Sequence, residues 1–145
     1  MEQKYILKNQ ESFELKDIFE CGQCFRWNKE ADGSYTGIIK NAVINVKKEK
    51  EEIIFMGFSK GDLKSIVIEY FDLDTNYQFY KEKLEKIDDF LKESIEFGKG
   101  IRILKQDLWE CIISFIISAN NNIPRIKKII ERISESYGEE IIWNG

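Results

Sequence analysis

The run Ser118-Ala119-Asn120-Asn121-Asn122-Ile123-Pro124-Arg125 places three consecutive carboxamides directly before a proline and an arginine. A carboxamide both donates and accepts, a guanidinium offers a fork of donors, and a helix N-terminus accepts a phosphate, so this octapeptide has the chemistry of a nucleic-acid probe. Asparagines here can also simply cap one helix and turn the chain into the next, and spacing alone leaves both uses open. Cys21-Gly22-Gln23-Cys24 has the spacing of a redox pair, but nothing after it reads as the opening helix of a βαβ unit, so its cysteines are read as ordinary small side chains. The sequence holds no histidine. That removes Ser-His-Asp and Cys-His catalysis, histidine-ligated zinc and histidine as general base. Cys21, Cys24 and Cys111 are too few for a disulfide scaffold or an all-cysteine zinc site. Neither a metal nor a cofactor is expected.

The elements that must carry these residues fit a chain of 145 residues, enough for one sizeable core or two small ones. With 43% hydrophobic residues, 33% charged residues and a single proline, the composition is that of a folded globular chain. It has no long uncharged apolar stretch and no signal-peptide pattern at its start, so it is read as cytosolic. The net charge of −4 argues, as an average, against phosphate binding. The distribution differs from the average: Lys99, Arg102, Lys105, Arg125, Lys127, Lys128 and Arg132 make the last third locally positive.

Residues 12–57 read as β-structure. Phe25 and Trp27 alternate with Cys24 and Arg26, then come Tyr35 to Ile39, then Ala42, Ile44 and Val46 on one face, then Ile53 to Met56. The short joints between them favour an antiparallel meander. Leu63, Ile66, Val67, Tyr70 and Phe71 follow helical spacing and should cover one face, with Ser59 and Asp62 in capping-box spacing at the start. Two further helices are expected at 77–87 and 88–97, before the Gly98-Lys99-Gly100 break, where a first domain (1–97) ends. Leu108 to Ile117 is apolar nearly all round and reads as a central core helix. Pro124 to Tyr137, with Ile126, Ile129, Ile130 and Ile133 on one stripe, is the only neighbour it has. The chain closes on the apolar run Ile141-Ile142-Trp143-Asn144-Gly145. Residues 98–145 are therefore expected to be the opening of a larger helical domain, truncated here, whose uncovered apolar surface invites self-association.

Two of these motifs carry a family resemblance. Phe97-Gly98-Lys99-Gly100-Ile101-Arg102-Ile103-Leu104-Lys105-Gln106-Asp107, with Trp109-Glu110-Cys111 and the Ser-Ala-Asn-Asn-Asn-Ile-Pro-Arg run, strongly resembles the 8-oxoguanine DNA glycosylases of the helix-hairpin-helix superfamily. Cys21-Gly22-Gln23-Cys24-Phe25-Arg26-Trp27 resembles an element of the same family's N-terminal domain. The resemblance implies an α+β fold: an antiparallel sheet with packed helices, similar to half of a TATA-binding protein, followed by the first helices of an all-α glycosylase domain, incomplete. It also implies base-excision repair of 8-oxoguanine in duplex DNA, with associated lyase activity in the intact enzyme, and a cytoplasmic, nucleoid-associated setting.

Site roles follow from the same resemblance. It makes the backbone carbonyl of Gly22 the acceptor for the N7–H that oxidation at C8 creates. It makes Asn120 and Arg125 the residues that enter the gap left by the flipped nucleotide and meet the orphan cytosine, with Asn121, Asn122 and Ile123 supporting the loop. Arg26 and Trp27 are expected to support the sheet. Family members carry a hairpin, a nucleophilic lysine and an aspartate far downstream of the triple-asparagine loop. No stretch of this sequence matches them, so no catalytic residue is assigned to this chain. An alkylpurine glycosylase of the same superfamily, or a non-catalytic DNA-binding or structural chain, are the alternatives.

Overall fold

The computed structural model describes residues 1–143. Five strands form one antiparallel sheet in the order β1-β5-β4-β3-β2: β1 (Glu2–Lys8), β2 (Trp27–Lys29), β3 (Tyr35–Ile39), β4 (Ala42–Glu49) and β5 (Glu52–Phe58). The side-chain period of two sets the inner face. Tyr35 and Ile39 on β3, Ala42, Ile44 and Val46 on β4, and Ile53 and Phe55 on β5 are buried, and their neighbours along each strand are more exposed. The two-residue loop between Ile39 and Ala42 puts Lys40 at a φ of 53°, and that between Glu49 and Glu52 puts Lys50 at 54°. Both turns have the hand that matches strand twist.

The meander from Tyr35 to Phe58 is the one expected, but its flanks differ from the sequence reading. The sheet gains β1, an edge strand whose Tyr5 and Leu7 pack on the core while Glu2, Lys4 and Lys8 face water. Residues 12–26 are not β-structure. They contain α1 (Leu15–Phe19), whose Leu15, Ile18 and Phe19 are buried at helical spacing, and an irregular segment that leads into β2 at Trp27.

α2 (Leu63–Tyr70) covers the sheet with Leu63, Val67 and Tyr70. Its cap is Asp62, which accepts from the Ser65 amide at 2.9 Å. Ser59, expected to begin the helix, instead turns the chain before it by accepting from Gly61 N at 3.0 Å. Phe71 sits at the centre of an aromatic cluster formed with Phe13, Phe19, Trp27, Phe55 and Tyr70. Trp27 stacks on Phe19 at 4.3 Å and donates its indole N–H to the Tyr70 hydroxyl at 2.9 Å. This gives the buried indole the polar partner it needs.

α3 (Tyr77–Leu84) and α4 (Asp89–Phe97) follow, capped by Asn76 and Asp88. The stretch from Gly98 to Asp107 has no regular structure, yet it is stitched to the sheet unit. Gly100 accepts from Glu14 N at 3.0 Å and its own amide donates to Asp17 at 3.0 Å. Arg102 is fully buried: its guanidinium donates to the carbonyls of Phe71 (2.9 Å), Asp72 (2.6 Å) and Thr75 (3.3 Å) and lies over the Tyr77 ring at 4.3 Å.

α5 (Leu108–Ser118) and α6 (Ile123–Tyr137) pack on each other, with Ile126 and Ile130 of α6 buried. α5 forms as its sequence predicts, but it is not a core helix in this chain: none of its residues is buried, and Phe115 is 79% exposed. Leu108, Trp109 and Ile116 are open as well. A helix apolar on every side needs neighbours on every side, and α6 supplies one. Of the closing run, Asn144 and Gly145 lie outside the described residues. Among the described residues no helix is long and apolar enough to cross a membrane.

Candidate nucleic-acid interface

Gly22 lies in the loop between α1 and β2 with a φ of +86°, a backbone conformation that disfavours any side chain. A Cβ placed on it would stand 3.7 Å from Ile123 Cδ1. One hundred residues apart in sequence, the Gly22 loop and the triple-asparagine loop therefore meet. Among the described residues, no hydrogen bond is made to the Gly22 carbonyl.

Between α5 and α6 the three asparagines divide their tasks. Asn121 holds the loop: its side chain donates to Ile117 O at 3.1 Å and accepts from Asn122 N at 3.0 Å. Asn122 is the cap of α6 and accepts from Arg125 N at 3.1 Å, with Pro124 inside the first turn. Asn120 has a φ of 51°, the left-handed conformation that asparagine tolerates, and its side chain is exposed. Arg125 is exposed too, at the N-terminal end of α6. Among the described residues neither Asn120 nor Arg125 spends its side chain on a partner within the chain. Ile123 is 43% exposed beside Gly22.

Further side chains tie the Gly22 loop and β2 to the segment before α5 and to the helix pair. Gln23 is the chief of them. Its Nε2 donates to Ile18 O at 3.0 Å and to Arg102 O at 2.8 Å, and its Oε1 accepts from Leu104 N at 3.0 Å. Its backbone carbonyl accepts from Gln106 Nε2 at 2.5 Å. Lys127 on α6 donates its ammonium to the Trp27 carbonyl. Arg26 pairs with Glu110 on α5 at 3.6 Å. Burial pushes the Glu110 carboxyl up, and Arg26 pulls it back only in part. Arg26 and Trp27 thus tie the sheet to the helices. Gln23 and Gln106 both stand inside quoted motifs, but only their long-range partners distinguish them from surface amides.

The positive last third contracts in three dimensions. Arg102 is internal, Lys105 is bound to Asp72 at 2.6 Å, and Lys99 pairs with Glu96 at 3.4 Å. The exposed positive charges left near the triple-asparagine loop are Arg125, Lys128 and Arg132, all on α6. The cysteines carry no disulfide: Cys24 is buried, Cys111 half-buried and Cys21 exposed. Burial pushes the Cys24 thiol up to about 12 and raises that of Cys111. At pH 8 a thiol reagent should therefore modify Cys21 first and Cys111 more slowly, and reach Cys24 only on unfolding. Mass-mapped labelling checks this, and fast modification of Cys24 in the native protein would contradict it. Among the described residues no cluster of potential metal ligands occurs.

An antiparallel sheet packed with helices, with a glycine loop seated against an asparagine-arginine loop, is the α+β architecture of the N-terminal part of DNA glycosylases of this kind. Comparison with known proteins agrees. Residues 5–112 match the family model of the 8-oxoguanine DNA glycosylase N-terminal domain, and the chain belongs to that family. It is 32% identical over 142 residues to an N-glycosylase/DNA lyase of Saccharomyces cerevisiae, covering 88% of this chain and 37% of that protein. The crystal structure of the Clostridium acetobutylicum 8-oxoguanine glycosylase/lyase superposes with a TM-score of 0.91 at 46% identity, covering 100% of this chain and 51% of that one. The same figures hold for that protein in complex with double-stranded DNA containing cytosine opposite 8-oxoguanine. The chain thus spans about half the length of these solved relatives, and little more than a third of the yeast protein.

Proposed function

We propose that this chain is the lesion-reading and orphan-base-reading part of an 8-oxoguanine DNA glycosylase/lyase, acting on duplex DNA. The observation that carries this reading is the seat of Ile123 against Gly22, which brings the two loops to one place. Oxidised guanine presents an N–H at N7 where guanine presents a lone pair. A carbonyl at Gly22 thus gains a hydrogen bond with the lesion and meets repulsion from the normal base. The positive φ excludes a side chain that would hold the base plane away. Arg125, anchored at its backbone by the Asn122 cap, has its guanidinium free to donate to the O2 and N3 acceptors of an unpaired cytosine, and Asn120 stands in the same loop. Filling the gap offsets part of the few kcal/mol that flipping a nucleotide costs. In the whole enzyme the chemistry is attack by a lysine amine on the sugar C1′, loss of the base and strand cleavage through a Schiff base. A place in the cytoplasm against the nucleoid accords with such a substrate.

The test is excision from duplexes carrying 8-oxoguanine opposite each of the four bases. It uses the chain extended by its own downstream coding sequence or, where there is none, by the part of the Clostridium acetobutylicum relative that the chain does not cover. Excision opposite cytosine is expected, and Arg125→Ala should reduce the preference for cytosine about tenfold, one charged hydrogen bond's worth. Absence of excision, or a preference that Arg125→Ala leaves intact, would contradict the reading.

A further inference from the structure

Resting on the reading of Gly22 just given, we propose that Gln23 and Gln106 are positioning residues: a carboxamide clamp that fixes the orientation of the Gly22 carbonyl and thereby sets how well lesion and guanine are told apart. Glycine is the residue least able to hold its own peptide plane, and Gly22 sits in a loop without regular structure. The Gly22 carbonyl shares a rigid plane with the Gln23 amide. Turning that plane means rotating about Gln23 N–Cα or Gly22 Cα–C, and holding Gln23 in place narrows the first of these; Gln23 is held on three sides. Its side-chain amide bridges Ile18 O and Arg102 O, its side-chain oxygen takes Leu104 N, and its backbone carbonyl takes the Gln106 amide.

The anchors are themselves firm. Ile18 and Leu104 are buried in the core, and Arg102 is locked under Phe71 and Asp72. Gln106 immediately precedes Asp107, which caps α5 by accepting from Glu110 N at 3.1 Å. The clamp therefore ties the Gly22 loop to the helix pair that carries Asn120 and Arg125. On the other side Ile123 Cδ1 lies 3.7 Å from where a Gly22 side chain would begin. A carbonyl so held cannot turn away from the N7 lone pair of guanine, so the repulsion is enforced as well as the attraction. Loosening the clamp should erode discrimination from both directions: slower removal of the lesion and easier acceptance of guanine.

Gln106→Glu keeps the size and shape of the side chain but replaces the donor that reaches Gln23 O with an acceptor. In the extended protein described above, it is expected to lower the ratio of 8-oxoguanine to guanine excision about tenfold, the worth of one well-placed hydrogen bond. Cleavage at a preformed abasic site, which needs no base reading, should stay within about twofold. Gln106→Met, apolar and of similar length, provides a second variant should the glutamate disturb folding, and Gln106→Asn, whose amide is too short to reach, should behave as Met does. A ratio unchanged in Gln106→Glu and Gln106→Met, or abasic cleavage that falls in step with lesion excision, overturns the clamp. Gly22→Ala separates the two claims. If it leaves the ratio intact, the reading of Gly22 itself is wrong and the clamp falls with it. If it lowers the ratio while the Gln106 variants do not, the clamp alone is wrong.

Discussion

Incubated with a duplex carrying 8-oxoguanine, the 145-residue chain alone should release no base and form no adduct trapped by borohydride. Trapping needs a lysine amine that is free to attack a sugar carbon, with a neighbouring group to take its proton. Among the described residues, the lysine ammonium that the fold depresses is Lys81, through burial first and the nearby Arg102 second. That ammonium is committed: it donates to Ser12 Oγ at 3.0 Å and to the Lys99 carbonyl. On α6, Lys127 is held on the Trp27 carbonyl. Neither is available at the Gly22 carbonyl. Activity of the extended protein with none from the chain alone is the expected pair of results. Trapping by the chain alone at a rate comparable with the extended protein would show that one of its own lysines is the nucleophile.

Replacing Arg102 should have the largest effect on stability. Arg102→Ala removes the donors that satisfy the carbonyls of Phe71, Asp72 and Thr75 and empties the space under Tyr77. Orphaned buried acceptors cost about 1–3 kcal/mol each, and large-to-small changes in a core about 2–5 kcal/mol, with water entry offsetting part. A loss of about 3–5 kcal/mol is expected, a large share of the 5–15 kcal/mol typical of a domain. Arg102→Lys should lose less, because a single ammonium keeps the charge but cannot reproduce the fork. Burial lowers the Arg102 pKa without neutralising the group, and no carboxylate takes it directly. Its hydrogen bonds go to backbone carbonyls, with the Tyr77 ring and the Asp72 carboxylate adding to the field around it, so shape matters as much as sign. Urea unfolding followed by fluorescence of the buried Trp27 measures both variants, and a loss under about 1 kcal/mol for Arg102→Ala would show that water replaces the guanidinium fully.

How much of this was legible beforehand depended on the range of the interaction. Alternation over Tyr35 to Met56, the helical stripes of α2 and α6, and the triple-asparagine turn are local patterns, and each appears where its period places it. So did the consequence for α5: an all-round apolar helix with one neighbour stays open, as its exposed Leu108, Trp109 and Phe115 show. The sequence by itself thus determined the element types from Tyr35 onward, the α+β class and, through two motifs, the family, while it misread residues 12–26, where α1 stands, as strand. It did not reveal β1, because an edge strand buries one face and its charged residues mask a short alternation. Nor did it show that Arg102 is internal, since a guanidinium is buried only where backbone carbonyls from distant loops converge on it. Tertiary structure alone decided that Gly22 meets Ile123 and that Gln23 is gripped by residues about eighty positions away. Hydrogen bonds and contacts of that sequence separation leave no period in the chain. They arise only when the sheet and the helix pair have closed on each other, and that closure brings the Gly22 loop against the triple-asparagine loop.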